Sequence, residues 1–323
     1  MKAVVINGPG DVALTDVPDP TPGPGEVVLA VRAAGLCGTD LHVVGEAAVP
    51  GMIPGHELSG EVVHGVPGLP VGTLVAVNPL IPCGRCVRCT AGRTNLCRDR
   101  SAVGVNRHGG AAEFLALPAV ACFDATGLTP ERAAIVEPVA CVLHGFDRLG
   151  PVAGDDVLVY GAGPMGLLAA AYARHSGAAS VTVVEANEER RRGAGASSVG
   201  DLPDPPRAYG AVIDCTGSPA AIEDGLRRVA RGGRYLLMGV AGTDRTASFS
   251  PFEVYDNEIT IVGSRSLLWS FDRAVRLAAA DPIGLDSLVS HRHSLGDYPG
   301  ALAMMRAGTG LKHLISPWKE TSR

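Results

Sequence analysis

The hexapeptide Gly161-Ala162-Gly163-Pro164-Met165-Gly166 stands between an apolar run at 157–160 and a second apolar stretch that continues to about residue 173. A G-x-G-x-x-G pattern is informative only where a strand enters the turn and a helix leaves it, and both flanks meet that condition. Gly161 permits the tight turn, Gly163 lets a pyrophosphate approach the backbone, and Gly166 lets helix and strand pack closely. Pro164 and Met165 belong to the same candidate phosphate site, where the helix N-terminus faces the phosphates. Glu185 ends the next strand, at about the distance where an acidic residue binds ribose hydroxyls. From residue 155 onward, strands at 157–160, 181–185, 211–215, 234–239 and 259–263 alternate with helices at 165–176, 188–195, 220–230 and 271–280. This α/β alternation predicts a doubly wound parallel sheet with helices on both faces. Arg190, Thr216 and Gly239 complete the candidate cofactor residues.

The first 120 or so residues read differently. Short β-type runs at 4–6, 27–32, 61–63, 74–77 and 112–117 are separated by Gly, Pro and polar turns, which predicts a compact, mostly antiparallel β domain. The Pro-rich segment 15–26 reads as an extended connection. Pro130 opens a helix. After residue 281 the pattern loosens to one helix, 298–306, and a final strand, 312–315. A chain of 323 residues suggests two domains. Net charge is −5 with no basic stripe, so nothing points to nucleic acid or an anionic membrane. Arg190-Arg191-Arg192 and Arg227-Arg228 read as solvated helix faces. The N-terminal apolar run is too short for a signal peptide, and glycines interrupt the stretch 157–173, so no membrane span and a cytoplasmic location are expected.

Two sets of metal-binding residue types stand apart in the sequence. Cys83, Cys86, Cys89 and Cys97 follow C-x2-C-x2-C-x7-C. Four thiolates around one ion make a closed tetrahedral zinc site, which is structural because it has no open position. An iron–sulfur cluster is the rival, but the spacing fits neither ferredoxin pattern, and a reducing compartment disfavours disulfides. The second set is Cys37, His56 and Glu57, the three side-chain types of an open catalytic zinc site. Thr39 and His42 place a hydroxyl and a second imidazole beside it, able to carry away the proton of a bound alcohol.

With these motifs together, the chain resembles the zinc-dependent medium-chain alcohol dehydrogenases over nearly its whole length. The stretches 37–42 and 55–57, the four-cysteine lobe, and the stretches 109–114, 161–166 and 214–218 come in that family's order. The resemblance implies a GroES-like catalytic domain at 1–137, with a structural zinc lobe at about 82–98. It implies a Rossmann NAD-binding domain at 138–284 and a return to the catalytic domain at 285–323. Glu137-Pro138-Val139-Ala140-Cys141-Val142-Leu143-His144-Gly145 resembles the sorbitol and polyol dehydrogenase branch, with Glu137 near the point where classical members place a third thiolate ligand. Within the family, Cys37, His56 and one acidic residue would hold the catalytic zinc, and Glu57 and Glu137 compete for that role. One carboxylate leaves the ion and its ligands neutral, whereas a second makes the site negative and weakens its Lewis acidity. One of the two is therefore expected to bind directly, with the other next to the metal-bound water or substrate, and Glu57 is favoured as the direct ligand. Thr39 and His42 match the family's proton-relay positions.

The implied activity is NAD-dependent oxidation of a secondary alcohol, a polyol or cyclitol, with two zinc ions per chain. The implied partners are a small alcohol or ketone and further copies of the chain, as a homodimer or homotetramer. An amino alcohol or aminocyclitol, including biosynthetic aminocyclitol oxidation, is the alternative substrate class. A non-catalytic nucleotide-binding relative is the alternative of another class. The loop between Cys37 and His56 and the segments 64–68 and 200–209 are shorter or plainer than the family's. Arg265 and Trp269 follow the last Rossmann strand, where relatives place cleft residues, with interface packing the alternative for either.

Overall fold

A computed structural model of the chain describes residues 1–202 and 208–318. Two compact units divide it. The first comprises Met1–Ala140, Leu268–Asp281 and Leu285–Arg323, and the second Cys141–Leu267 and Pro282–Gly284.

The first unit is organised on the strand Glu26–Gly35, whose residues are nearly all buried. Alternating Val and Leu at Val27, Leu29 and Val31 turn into a core shared with Leu58, Val62, Val75, Leu115 and Leu117. Each such side chain, fully buried, contributes about 1.5–3 kcal/mol. The strand pairs antiparallel with Glu57–His64, Phe114–Pro118 and Lys312–Ile315. Leu74–Val77 and Cys122–Asp124 extend the sheet on one side, and Val289–His293 joins Lys312–Ile315 in parallel on the other. Seven strands result, antiparallel apart from that last pair. The segment expected as a plain connection begins as a strand: Asp11–Asp16 forms a hairpin with Lys2–Gly8.

The register of the central pair places Gly35 opposite Glu57. A side chain at Gly35 would run into the Glu57 carboxylate, so glycine is what lets that carboxylate sit between the strands. The chain then turns through Leu36 into a seven-residue helix, Gly38–Val44, capped by Cys37. Much of the expected loop after Cys37 is therefore helical.

The second unit is a five-stranded parallel sheet in the order Ser180–Val184, Asp156–Tyr160, Tyr209–Asp214, Val229–Leu237, Thr260–Gly263. Val157, Leu158, Val159 and Tyr160 are all buried, as expected where helices cover both faces of a parallel sheet. The chain leaves Asp156–Tyr160 toward one edge and returns to its other side at Tyr209–Asp214, making a topological switch point at that strand. Part of the abbreviated segment at 200–209 lies outside the described residues.

Arg228 is buried, not solvated: its Nε donates to Asp224 Oδ2 at 2.7 Å, and the same oxygen accepts the Tyr160 hydroxyl at 2.5 Å. The i,i+4 spacing on the helix Pro219–Arg228 brings the two charges together, and their pairing offsets the cost of burying them. Among the described residues, no helix is long and apolar enough to cross a membrane.

Candidate metal centres and dinucleotide site

The four cysteines of the lobe converge, with sulfurs all within 4.8 Å of one another. Cys86 and Cys89 Sγ are 3.5 Å apart, Cys86 and Cys97 3.9 Å, and Cys83 and Cys89 4.0 Å. Sulfurs about 2.3 Å from a tetrahedral zinc are about 3.8 Å from each other, so the donor set fits that ion. None of the four is in a disulfide. Backbone N–H groups, chiefly that of Cys89, pull the Cys86 thiol down to about 6, while desolvation and neighbouring sulfurs push Cys89 up to about 12. Sulfurs packed this closely cannot all ionise without a cation among them. Trp269, in the left-handed region at φ 53°, donates its indole N–H to Gly92 O of this lobe at 2.9 Å.

Cys37, His56 and Glu57 form the second converging set, again with donor atoms within 4.8 Å of one another. Cys37 comes from the end of one central strand, and His56 and Glu57 from the start of its partner. Thr39 Oγ1 is 3.8 Å from Cys37 Sγ. His42 is exposed on the same short helix, its Nδ1 3.9 Å from Glu46. Glu137 is buried on the helix Pro130–Leu149 and is not part of the close donor set.

Two residues that sequence reasoning did not single out organise this set. Asp40, fully buried, accepts the Cys37 N–H on Oδ2 at 2.8 Å, and its Oδ1 is 3.5 Å from His56 Nδ1. A carboxylate behind a histidine fixes the tautomer that leaves Nε2 as a ligand. Burial opposes charge on the His56 ring, but Asp40 and then Cys37 outweigh it, and its pKa is raised well above the ordinary value. Lys312 is the other: its ammonium donates to Glu57 Oε2 at 2.7 Å, Glu57 Oε1 at 2.9 Å and Leu36 O at 3.1 Å. Burial works against that charge, yet Glu57, Cys37 and Glu137 together raise the Lys312 pKa. The lysine thus sits, charged, in a cluster of anionic groups.

In the second unit, Gly161 has φ 97°, and its N–H donates to Val184 O at 2.8 Å. Gly163 caps the helix Pro164–His175, with Pro164 at its start and Met165 in its first turn. A Cβ at Gly163 would meet nothing within 4 Å, so the bare backbone faces open space, whereas one at Gly166 would collide with Gly161 O. Orphan N–H groups at a helix start of this kind can receive a phosphate. Glu185 follows the strand Ser180–Val184; its Oε2 accepts the Ala162 N–H at 2.8 Å and its Oε1 the Asn187 N–H at 2.9 Å. Arg190, expected on a solvated face, instead turns its guanidinium to within 3.5 Å of Glu185 Oε2. Asp214, a third residue not singled out, gathers the remaining positions. It accepts the Thr216 hydroxyl on Oδ1 at 2.5 Å and, through its backbone carbonyl, the Gly239 N–H at 2.8 Å. Gly161, Glu185, Thr216 and Gly239 all follow the carboxyl ends of parallel strands, where such sheets bind ligands.

The chain matches two family models, the alcohol dehydrogenase GroES-like domain over residues 23–127 and the zinc-binding dehydrogenase over residues 164–280. It is 35% identical to D-altritol 5-dehydrogenase of Agrobacterium fabrum, across 92% of this chain and 94% of that one. It is 34% identical to L-threonine 3-dehydrogenase of Pyrococcus horikoshii, across 95% and 96%. Among solved structures, a Sinorhizobium meliloti chain bound to NADP superposes with a TM-score of 0.93 at 33% identity, covering 98% of this chain and 99% of that one. With its converging donor sets and glycine turn, this chain belongs to the zinc-dependent medium-chain alcohol dehydrogenase family, whose members are oxidoreductases.

Proposed function

We propose that this enzyme transfers a hydride between a secondary alcohol of the polyol or cyclitol class and NAD. The observation that carries the reading is the convergence of the Cys37, His56 and Glu57 donors beside the Thr39 hydroxyl. The name of the altritol-oxidising relative supports the polyol class. The first unit would act as the catalytic domain and the second as the dinucleotide domain.

Cys37, His56 and a carboxylate would hold the catalytic zinc, which supplies Lewis acidity that lowers the pKa of a substrate hydroxyl. Asp40 keeps His56 in the ligating tautomer. Thr39 takes the alcohol's proton, and His42, exposed to solvent, takes it onward. Lys312 changes the charge argument for the acidic ligand. With a divalent ion, Lys312 brings the positive charge to three, which Cys37, Glu57 and Glu137 balance. Lys312 thus offsets the second carboxylate, and Asp40 behind His56 adds one further negative charge. Glu57 remains the favoured direct ligand, since its oxygen already lies within the donor set. Cys83, Cys86, Cys89 and Cys97 would hold a second zinc whose role is to order the lobe.

Glu185 would accept the adenosine ribose hydroxyls and repel a 2′-phosphate. Like-charge juxtaposition can cost several kcal/mol, which implies a preference for NAD of roughly tenfold to a thousandfold. Arg190 beside that carboxylate, and the NADP-bound relative, favour the lower end of this range. The reading extends to a cytoplasmic homodimer or homotetramer. The threonine-oxidising relative favours one second reading, an amino alcohol substrate. A panel of polyols, cyclitols and L-threonine, each with NAD and with NADP and followed by reduced-nicotinamide absorbance, separates these. Turnover of a polyol or cyclitol with NAD supports the proposal. The highest kcat/KM on L-threonine shifts it to the second reading, and no turnover with any of them defeats it.

A further inference from the structure

Asp214 ends the strand Tyr209–Asp214 and is 0% exposed. A carboxylate is buried at such a place only where donors meet it, and the loop that follows supplies them. Its Oδ1 accepts the Thr216 N–H at 3.0 Å and the Thr216 hydroxyl at 2.5 Å, and its Oδ2 accepts the Gly217 N–H at 3.0 Å. The Thr216 oxygen in turn accepts the Ser218 N–H at 3.0 Å. A hydroxyl has one proton and two lone pairs. At Thr216 the proton is given to Asp214 and one pair to Ser218, which leaves one lone pair on a residue exposed to solvent. The methyl of the same side chain is fixed too. A Cβ at Gly161 would meet Thr216 Cγ2 at 3.0 Å, so the methyl lies against the first glycine of the turn 161–166. The Asp214 carbonyl accepts the Met238 N–H at 2.9 Å and the Gly239 N–H at 2.8 Å, and a Cβ at Gly239 would collide with Gly217 N. The loops leaving three neighbouring strands therefore meet around Asp214, each at a carboxyl end.

We propose that Asp214 is a positioning residue for the dinucleotide: it holds the Thr216 side chain against the glycine turn and takes its proton, so that the hydroxyl meets the cofactor as a hydrogen-bond acceptor. The inference rests on the proposed reading of the second unit as the dinucleotide domain. Threonine has three staggered rotamers, and the bond to Asp214 selects the one with its methyl on Gly161. Asp214 lies on the opposite side of the strand Asp156–Tyr160 from Glu185. With the adenosine ribose at Glu185, the effect of Asp214 falls on the nicotinamide half, whose ribose hydroxyls and carboxamide NH2 are donors for such an acceptor. The carboxylate itself is buried beneath the loop and acts through Thr216.

The test compares two probes on the full-length protein: NADH, followed by its own fluorescence, and AMP, followed by calorimetry. AMP reports the adenosine half and the integrity of the unit, and NADH reports both halves. In Asp214→Asn an NH2 group replaces one of two acceptor oxygens, so the three loop donors can no longer all be met. NADH affinity should fall roughly tenfold, the size of one lost hydrogen bond to a charged group, while AMP affinity stays at the wild-type value. Thr216→Val keeps a methyl for Gly161 and removes the hydroxyl. It should weaken NADH in the same direction, and adding it to Asp214→Asn should change little more, because both act through one hydroxyl. Asp224→Asn, which breaks the bonds to Tyr160 and Arg228 elsewhere in the unit, should leave the ratio of NADH to AMP affinity unchanged. Equal losses of NADH and AMP in Asp214→Asn overturn the inference, because the carboxylate then only supports the unit. Wild-type NADH affinity in Thr216→Val overturns it as well, and that variant decides alone if Asp214→Asn does not fold. So do effects of the two substitutions that add in full. Wild-type protein that binds neither NADH nor AMP defeats the dinucleotide reading itself, and the inference with it.

Discussion

Replacing Lys312 with methionine removes the cation from an ion pair whose side chains are 3% and 1% exposed. Methionine keeps most of the stem, so the change is mainly one of charge. Breaking a buried pair by deleting one partner costs about 3–5 kcal/mol, because the remaining charge is left uncompensated. The cost has a ceiling that can be worked independently. Glu57 can escape by taking up a proton, and a glutamate ionises near 4.3 in an unfolded chain. Holding it protonated at pH 7 therefore costs about 2.7 pH units at about 1.36 kcal/mol each, or about 3.7 kcal/mol. At pH 5.5 the same ceiling falls to about 1.6 kcal/mol. Lys312→Met should thus destabilise the metal-free protein by about 3–4 kcal/mol at pH 7, and by less than about half of that at pH 5.5. Urea unfolding at the two pH values reads this directly. Adding Glu57→Gln should recover most of the loss. A penalty below about 1 kcal/mol at pH 7, or one that does not shrink on acidification, would show that Lys312 and Glu57 do not depend on each other as the structure implies.

Two further outcomes follow from the same geometry. His313 is packed against His291 and His293, its Nε2 faces Thr309 O, and burial lowers its pKa, with His291 and Lys312 repelling added charge. The unfolded chain then binds the proton first. The stability contributed by neutral His313 is complete above about pH 6.5 and is lost as pH falls below it; His313→Asn should flatten that limb of a stability-against-pH curve, and an unchanged limb would exclude His313 as its source. Glu185→Ser should bring the kcat/KM values for NAD and NADP together, and a wild-type enzyme that already prefers NADP would mean that Arg190, not Glu185, governs the ribose pocket.

The parts of the fold that were legible in the sequence are those fixed by local pattern. The turn 161–166 and the strand-helix alternation after it are read within a few residues of themselves, and the helices Phe271–Ala280 and Tyr298–Arg306 follow the expected bounds. The converging cysteines were legible for the same reason. Lys312 was not, because its partner Glu57 is 255 positions away and only the folded sheet joins them. Its trace in the sequence is a lone lysine opening an otherwise buried strand, Lys312–Ile315. Asp40 was nearer to hand: a carboxylate three residues after Cys37 can cap the helix that Cys37 begins. That helix, Gly38–Val44, was missed because seven residues including Gly, Thr and two Val carry little helical signal. The arginine pair at 227–228 misled because composition sees two cations, while the helix turns one of them toward Asp224.

Zinc content, measured on the same preparations as turnover, tests the central claim most directly. The account predicts about two zinc ions per chain in active wild-type protein, one in each converging donor set. Cys37→Ala should lose about one, keep its fold and have no alcohol-dependent reduction of NAD. Cys97→Ser should also lose about one but unfold more readily, because a structural site contributes folding energy. A single zinc in fully active wild-type protein, or undiminished turnover in Cys37→Ala, would contradict the account.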